Sequence, residues 1–435
     1  MGKRQNRPPA SHPQEITTEV ICCTGELKIM SGAVITGLGP VAPSGLGKGS
    51  FWESFKTGRS GIRYFSRYPN NGTVQIVGEV PREWFINGTP FDERKQAWST
   101  FMVIQASHLA LEDAGLDNMS FAARPSGIRV GISTIDMEVG EREYEHFKVS
   151  GATQPMVVAS SFPHAPASVI ARELKCSGRV FTSSAACTAG TLSIISAAES
   201  IASGDTEVQL AGGGDAPLTP FMISCMHSSG LHPAVPEGFN GKPQELCKPF
   251  DARRNGGVMG EGAGMVLLEN DQEARRRGAK IYGRILGWGI SNANSPFSLR
   301  TAFASAMEQA LQMARLKPDA IDYISAHAPG IKISDKEEVK AIKQVFGPHA
   351  YHIPVSSIKG TIGNPLAAAG PLQLISALLA MEHQFVPPTL NYSEPDPACD
   401  LDCVPNRGRT ARLKTAMVNS FGIGGGVASL IVERF

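Results

Sequence analysis

Four short stretches of this sequence carry residues that could do chemistry. Cys187 lies in Phe181-Thr-Ser-Ser-Ala-Ala-Cys-Thr-Ala-Gly190. The segment before it, Arg179-Val-Phe-Thr182, is β-branched and apolar and reads as a strand end. The segment after it carries Leu192, Ile195, Ala198 and Ile201 at helical spacing, and Gly204 closes that helix. The sulfur is therefore expected at a strand-to-helix turn, where free amides and the positive dipole end favour a nucleophilic thiolate. Small neighbours leave room for a substrate. A buried core cysteine is the commoner role of an isolated Cys, so a nucleophile needs support from residues further along the chain. His327, in Ser325-Ala-His-Ala-Pro-Gly330, comes after the strand Ile321-Asp-Tyr-Ile-Ser325. A histidine at a strand's carboxyl end, before a Gly/Pro loop, is where open α/β folds place their sites. Val355-Ser-Ser-Ile-Lys359-Gly-Thr-Ile-Gly-Asn364 makes another strand-to-helix turn, offering a lysine and an amide between small residues. Met417-Val-Asn-Ser-Phe421-Gly-Ile423-Gly-Gly-Gly426 reads as a glycine hairpin between strands. No helix follows it, so it is not a nucleotide loop. It permits close backbone approach and can present amides to an oxyanion.

These stretches need strands and helices to hold them. Ala33-Val-Ile-Thr36 reads as a strand, Gly37 to Gly45 as a loop and Phe51 to Lys56 as a helix. The Gly-rich turn has the wrong spacing for dinucleotide binding, and prolines interrupt it. A helix is expected over 99–114, strands over 127–131 and 207–211, a strand over 265–269 and a charged helix over 271–277. The pattern then restarts with a strand at 281–287, a helix at 301–315, a strand at 322–326 and a helix at 335–346. A strand at 353–357, a helix at 368–383 and the strand pair 415–419 and 427–433 complete it. Gly260 to Glu269 parallels Gly424 to Glu433, and Ser-Ser motifs at 183–184 and 356–357 both run into Ala-rich helices. This weak repeat points to two α/β halves around buried sheets. The halves are placed at 31–278, holding Cys187, and 279–435, holding His327 and Asn364. Residues 1–30 are polar, Pro-containing and without period, and are expected to be a disordered extension.

Composition excludes several classes. The chain has 435 residues, 42% of them hydrophobic, and a formal net charge of +1. That balance gives no sign of nucleic acid binding. No apolar leader follows Met1, and the longest strongly apolar helical stretch, Leu372 to Met381, is too short to span a bilayer. The eight cysteines are scattered without a second ligand pair at zinc spacing. No metal is expected, and free thiols in a reducing cytoplasm are.

With these motifs in order, the chain resembles a β-ketoacyl-[acyl-carrier-protein] synthase of the elongating class, from about residue 32 to the C-terminus. The markers are Ile35-Thr-Gly-Leu-Gly39, Ala186-Cys187-Thr188, Ala211-Gly-Gly-Gly-Asp215, Lys248-Pro-Phe-Asp251, Gly260-Glu-Gly-Ala-Gly264, Ala326-His327, Ser357-Ile-Lys359 and Asn419-Ser-Phe-Gly422. The resemblance implies the thiolase-like α/β fold, a duplicated five-layer αβαβα architecture. It implies that Cys187 takes an acyl group from a carrier protein as a thioester. The amides of Cys187 and Ile423 would form the oxyanion hole, beside a gate at Phe421 and Ile423. His327 would polarise a malonyl thioester carbonyl for decarboxylation. Lys359 and Glu338 would support the site, although a helix-surface Glu beside Lys336 and Lys340 is more often a solvated face. No cofactor is implied, since the phosphopantetheine arm belongs to the carrier. The partners implied are an acyl carrier protein and a second ketosynthase-like subunit, in a homodimer or a heterodimer.

The chain also departs from the family pattern. Asn364 stands where elongating members carry a second histidine. Ala328-Pro-Gly-Ile331 replaces the Gly-Thr-x-Thr loop, so the threonines that would bond pantetheine are missing. Ile423 replaces the gating phenylalanine, and Asn255-Gly-Gly257 replaces Asp-Gly-Phe. Cys-His-Asn is also the active set of initiating ketoacyl synthases, and an Asn amide can hydrogen-bond an enolate without ionising. The expectation is decarboxylative condensation. The alternatives are a non-elongating acyltransferase and a chain-length-factor-like partner subunit. The intact Cys187 weighs against the partner subunit. A degradative thiolase is disfavoured, because the hairpin 421–427 has no second cysteine.

Overall fold

The computed structural model describes residues 18–21, 27–30, 32–68, 75–85, 91–93, 96–236 and 239–435. The extension expected over residues 1–30 falls mostly outside them. Within it, Thr18–Ile21 and Leu27–Met30 pair as an antiparallel ribbon.

Ten strands lie along one path. In chain order they are β1 (Ala33–Ala42), β2 (Ser126–Gly131), β3 (Arg179–Ser183), β4 (Val208–Asp215), β5 (Gly262–Asn270), β6 (Gly283–Asn292), β7 (Tyr323–Ser325), β8 (Val355–Ser356), β9 (Thr415–Phe421) and β10 (Gly426–Arg434). Their spatial order is β8-β7-β9-β10-β6-β1-β5-β4-β2-β3. Outward from the β6–β1 junction the two arms match. In each, the second strand is antiparallel to both neighbours and the outer strands are parallel. The sequence likeness of 260–269 and 424–433 thus falls on the matching strands β5 and β10. The two Ser-Ser motifs end the outermost strands, β3 and β8.

The helices that frame the site are α1 (Gly47–Thr57), α2 (Trp98–Asp113), α3 (Ala165–Glu173), α4 (Ala189–Ala202), α5 (Leu299–Ala314), α6 (Lys332–Phe346) and α7 (Ala369–His383). Strand side chains alternate between layers. Val266 and Leu268 of β5 face the core around α4 and α7, while Met265 and Leu267 face α2 and α3. Ala416 and Val418 of β9 face the same central helices, while Met417 faces α5 and α6. The layers are therefore α2/α3, one arm, α4/α7, the other arm, α5/α6. This is the five-layer αβαβα arrangement the resemblance implied. In α7 every residue from Ala369 to Met381 is buried, as a helix that is apolar all round must be. Among the described residues no helix is long and apolar enough to cross a membrane.

One local expectation is corrected. The stretch Gly37 to Ala42, read as a loop, continues β1. Its glycines serve packing: a Cβ at Gly39 would sit 1.8 Å from the Ala106 carbonyl oxygen of α2, and one at Gly37 2.0 Å from that of Ala110. A second close approach brings the arms' turns together. A Cβ at Gly190 would meet the Ala367 carbonyl at 2.2 Å, and one at Gly370 the Thr191 hydroxyl at 1.9 Å. The starts of α4 and α7 thus pack closely because Gly190 and Gly370 carry no side chain of their own.

Candidate active site

Cys187 sits between β3 and α4, with Ala186 before it at φ +48°. An L-residue in that region is strained, and here the chain turns sharply from strand to helix. The thiol is 4% exposed. Burial pushes it up to about 11 and Asp215 adds to the rise, while the Lys359 charge and a hydrogen bond from the Asn364 side chain pull it down. The helix start favours the thiolate, but desolvation outweighs it.

Cys187, His327, Asn364, Phe421 and Ile423 line a single cleft. Four chain segments far apart in sequence meet there. Asn364 is held by its backbone, donating to the Val258 carbonyl at 2.7 Å and accepting from the Gly260 amide at 3.0 Å. Its side-chain oxygen is buried without a hydrogen-bond partner among the described residues. The His327 ring stands edge-on to Phe421, with centroids 5.7 Å apart. Burial and then the Lys359 charge hold its pKa well below the usual imidazole value, so the ring is neutral at pH 7. Gly422 packs on the nucleophile's backbone: a Cβ there would lie 2.9 Å from the Ala185 oxygen and 3.3 Å from the Cys187 nitrogen. That contact sets Ile423, which is half exposed, beside the cysteine.

Lys359 and Glu338 lie behind the cleft, both fully buried. The Lys359 ammonium donates to the His327 carbonyl at 2.8 Å and to Gln373 Oε1 at 3.0 Å, and burial lowers its pKa to about 8. Gln373 Nε2 in turn donates to the carbonyls of Ser325, Ala326 and Asn419. Glu338 is not the solvated helix face that its lysine neighbours suggested. Its carboxylate accepts from the amides of His327 and Ala328 at 2.9 Å each and from Asn419 Nδ2 at 3.1 Å. Glu338→Ala strands these three buried donors. The expected cost is about 3–5 kcal/mol of stability, read as a lower denaturation midpoint.

Gln373 does not stand out among the sequence motifs. Its signal is that it is a lone amide in the apolar run Pro371-Leu-Gln-Leu-Ile375. Asp215 shows in the sequence only as a family marker. It accepts from the amides of Ser133, Thr134 and Ala367, tying the end of β4 to the turn before α7. Asp335 escapes the sequence reading as well. It accepts from the amides of Gly330 and Phe250 and faces the buried Arg254 at 3.4 Å, fixing the loop after His327. In that loop Pro329 and Ile331 put apolar atoms on the cleft wall.

A second buried histidine gives the fold an acid limit. His232 Nδ1 accepts from the Met259 amide at 3.2 Å, and burial lowers its pKa to about 4. The unfolded chain takes up this proton near pH 6.5 and the folded chain does not. Stability is therefore lost as pH falls from about 6.5 to 4, by about 3 kcal/mol for this group. Denaturation midpoints at pH 7 and pH 5 check it, and His232→Asn should flatten the slope.

Residues 30–274 match the family model "Beta-ketoacyl synthase, N-terminal domain" and residues 282–393 the corresponding C-terminal domain. The "Tetracenomycin polyketide synthase ketoacyl synthase alpha subunit" of Streptomyces glaucescens is 34% identical, over 92% of this chain and 96% of that protein. The "3-oxoacyl-[acyl-carrier-protein] synthase 2" of Coxiella burnetii is 33% identical, over 92% and 98%. A solved ketosynthase, bound to a hexaketide and in complex with its type II PKS acyl-carrier protein, superposes with a TM-score of 0.85. It shares 30% identity, with 93% of this chain and 100% of that one covered. Across both of its arms, this chain belongs to the β-ketoacyl synthase family.

Proposed function

We propose that this β-ketoacyl synthase loads an acyl group on Cys187 and condenses it with a malonyl thioester, in fatty acid or polyketide synthesis. The observation that carries the reading is the meeting of Cys187, a neutral His327 and Asn364 in one cleft. In the first step the Cys187 sulfur attacks the thioester carbonyl. A new C–S bond forms, and the carrier thiol leaves with the proton that the cysteine gives up. The amides of Cys187 and Ile423 receive the oxyanion. In the second step the malonyl thioester loses carbon dioxide. The electron pair of the broken C–C bond stays as an enolate, whose oxygen takes hydrogen bonds from the His327 ring N–H and the Asn364 NH₂. The enolate carbon then attacks the acyl-Cys carbonyl, and the Cys187 sulfur departs. Phe421 and Ile423 gate the cleft, while Lys359 and Glu338 hold the His327 loop from behind.

The reading calls for no metal and no free cofactor, because the carrier's phosphopantetheine arm brings the thioester. A reducing cytoplasm keeps the thiol free. The halves 31–278 and 279–435 each supply part of the site. The partners are an acyl carrier protein and a second ketosynthase-like subunit, identical or not. Phe181 is half exposed on β3, the end strand of its arm, where another subunit's strand can pair.

The test is turnover with an acyl-carrier thioester and malonyl carrier, reading β-ketoacyl carrier by mass. Product supports condensation. An acyl adduct without product means transacylation only, and no adduct with any donor points to a partner subunit.

A further inference from the structure

Three consecutive backbone carbonyls, those of Ser325, Ala326 and His327, end on two fully buried side chains. Gln373 Nε2 donates to the Ser325 oxygen at 3.2 Å and to the Ala326 oxygen at 2.8 Å, and Lys359 Nζ donates to the His327 oxygen at 2.8 Å. A 3.0 Å hydrogen bond from Lys359 Nζ to Gln373 Oε1 joins the two. Gln373 Nε2 also donates to the Asn419 carbonyl on the neighbouring strand β9, at 3.1 Å. These bonds lie where a ladder stops. The parallel pairing of β7 with β9 runs only from Tyr323↔Ala416 to Ser325↔Val418. Past that point one segment carries His327 and the other Phe421, and both residues line the cleft. Buried carbonyls released at the end of a ladder need new donors. Gln373, from α7, supplies them to both segments. One oxygen of Glu338, from α6, accepts from the His327 amide on one side and from Asn419 Nδ2 on the other. Side chains thus continue the pairing that the backbone gives up.

The two segments differ in what else holds them. β9 stays paired with β10 as far as Phe421↔Val427, and the Cys187 turn packs on the Gly422 that follows. β7 ends at Ser325, and beyond it the Ala326 amide still donates to the Ser356 carbonyl at 3.0 Å. His327 itself depends on Glu338 at its amide and on the Lys359–Gln373 pair at the carbonyls. Loss of Gln373 therefore frees the His327 end and leaves the nucleophile and Phe421 in place. We infer that Gln373 is a positioning residue for condensation: its amide holds the strand end that carries His327 in register with β9, and so fixes where the His327 ring meets the enolate. The inference rests on the condensation reading.

The test times the two half-reactions separately. Loading of Cys187 is followed by intact-protein mass, and condensation as a single turnover of the acylated, donor-free protein with malonyl carrier. Gln373→Leu removes the donors and keeps a similar size. The expected result is that condensation slows about 10- to 100-fold, as when a catalytic group is misplaced by about an ångström, while loading stays within about 3-fold. An unchanged condensation rate overturns the inference, as does an equal fall in both half-reactions, which is the mark of a structural role. Should Gln373→Leu not fold, Gln373→Met, unbranched and of similar length, is expected to show the same split and overturns the inference if it does not. If the wild-type protein loads but gives no condensation product, the condensation reading falls and this inference with it. If it condenses, and the ratio of the two rates ignores Gln373, this inference alone falls.

Discussion

Cys187→Ala should gain no acyl group in the cleft from any thioester donor, while the wild-type protein gains one there. The substitution removes a single sulfur from a nearly closed site and adds no volume, so folding should survive it. The neighbouring thiols are poorly placed to substitute. Cys247 is fully buried with its sulfur against the Lys359 carbonyl, and burial pushes its thiol up to about 12. Cys225 is exposed, so any adduct there forms without the cleft and is found in both proteins. Peptide mapping of the adduct separates the two. The resting thiol is protonated at pH 7, which sets a further expectation. Loading should speed up as pH rises above neutrality, because more of Cys187 is then ionised as pH approaches its raised pKa of about 11.

The second large effect is at Asn364. Asn364→Ala should slow condensation about 10²–10³-fold, the usual result of losing one donor to a developing oxyanion. The loop should stay in place, because its two backbone hydrogen bonds, to Val258 and from Gly260, do not involve the side chain. Loading of Cys187 should fall less than condensation, since Asn364 reaches the cysteine through one hydrogen bond. The contrast between the two steps is the diagnostic. Equal losses in both would place Asn364 at the nucleophile alone and leave His327 as the sole side-chain donor to the enolate.

Much of this site is legible in the chain's own residue order. Cys187 and His327 follow strand ends and Asn364 lies one short helix, Lys359–Ile362, beyond another, and a duplicated α/β chain brings equivalent strand ends together. The helices and strands are legible because their apolar residues repeat with helical or alternating period. The features that escape have a common physical cause. Gly37 to Ala42 looks like a loop because glycine has no side chain to show a period, yet it is a strand pressed against α2. Glu338 lies between Lys336 and Lys340 in sequence, and only the fold turns it inward against the His327 and Ala328 amides. Gln373 and Asp335 act on backbone groups far away in the chain, a relation that local spacing cannot reveal. The net ionisation of Cys187 escapes local reading for the same reason. The helix start beside it is local and visible, whereas the burial that outweighs it comes from the packing of both arms.

One measurement bears most directly on the central claim, that a Cys-His-Asn cleft in this chain makes a carbon–carbon bond. The wild-type protein is acylated, freed of donor and mixed with malonyl carrier, and its intact mass is followed with the carrier's. The account predicts that the acyl mass leaves Cys187 as one equivalent of β-ketoacyl carrier appears. Acyl mass that stays on Cys187, or leaves only as hydrolysed acid or as unextended acyl carrier, would contradict it.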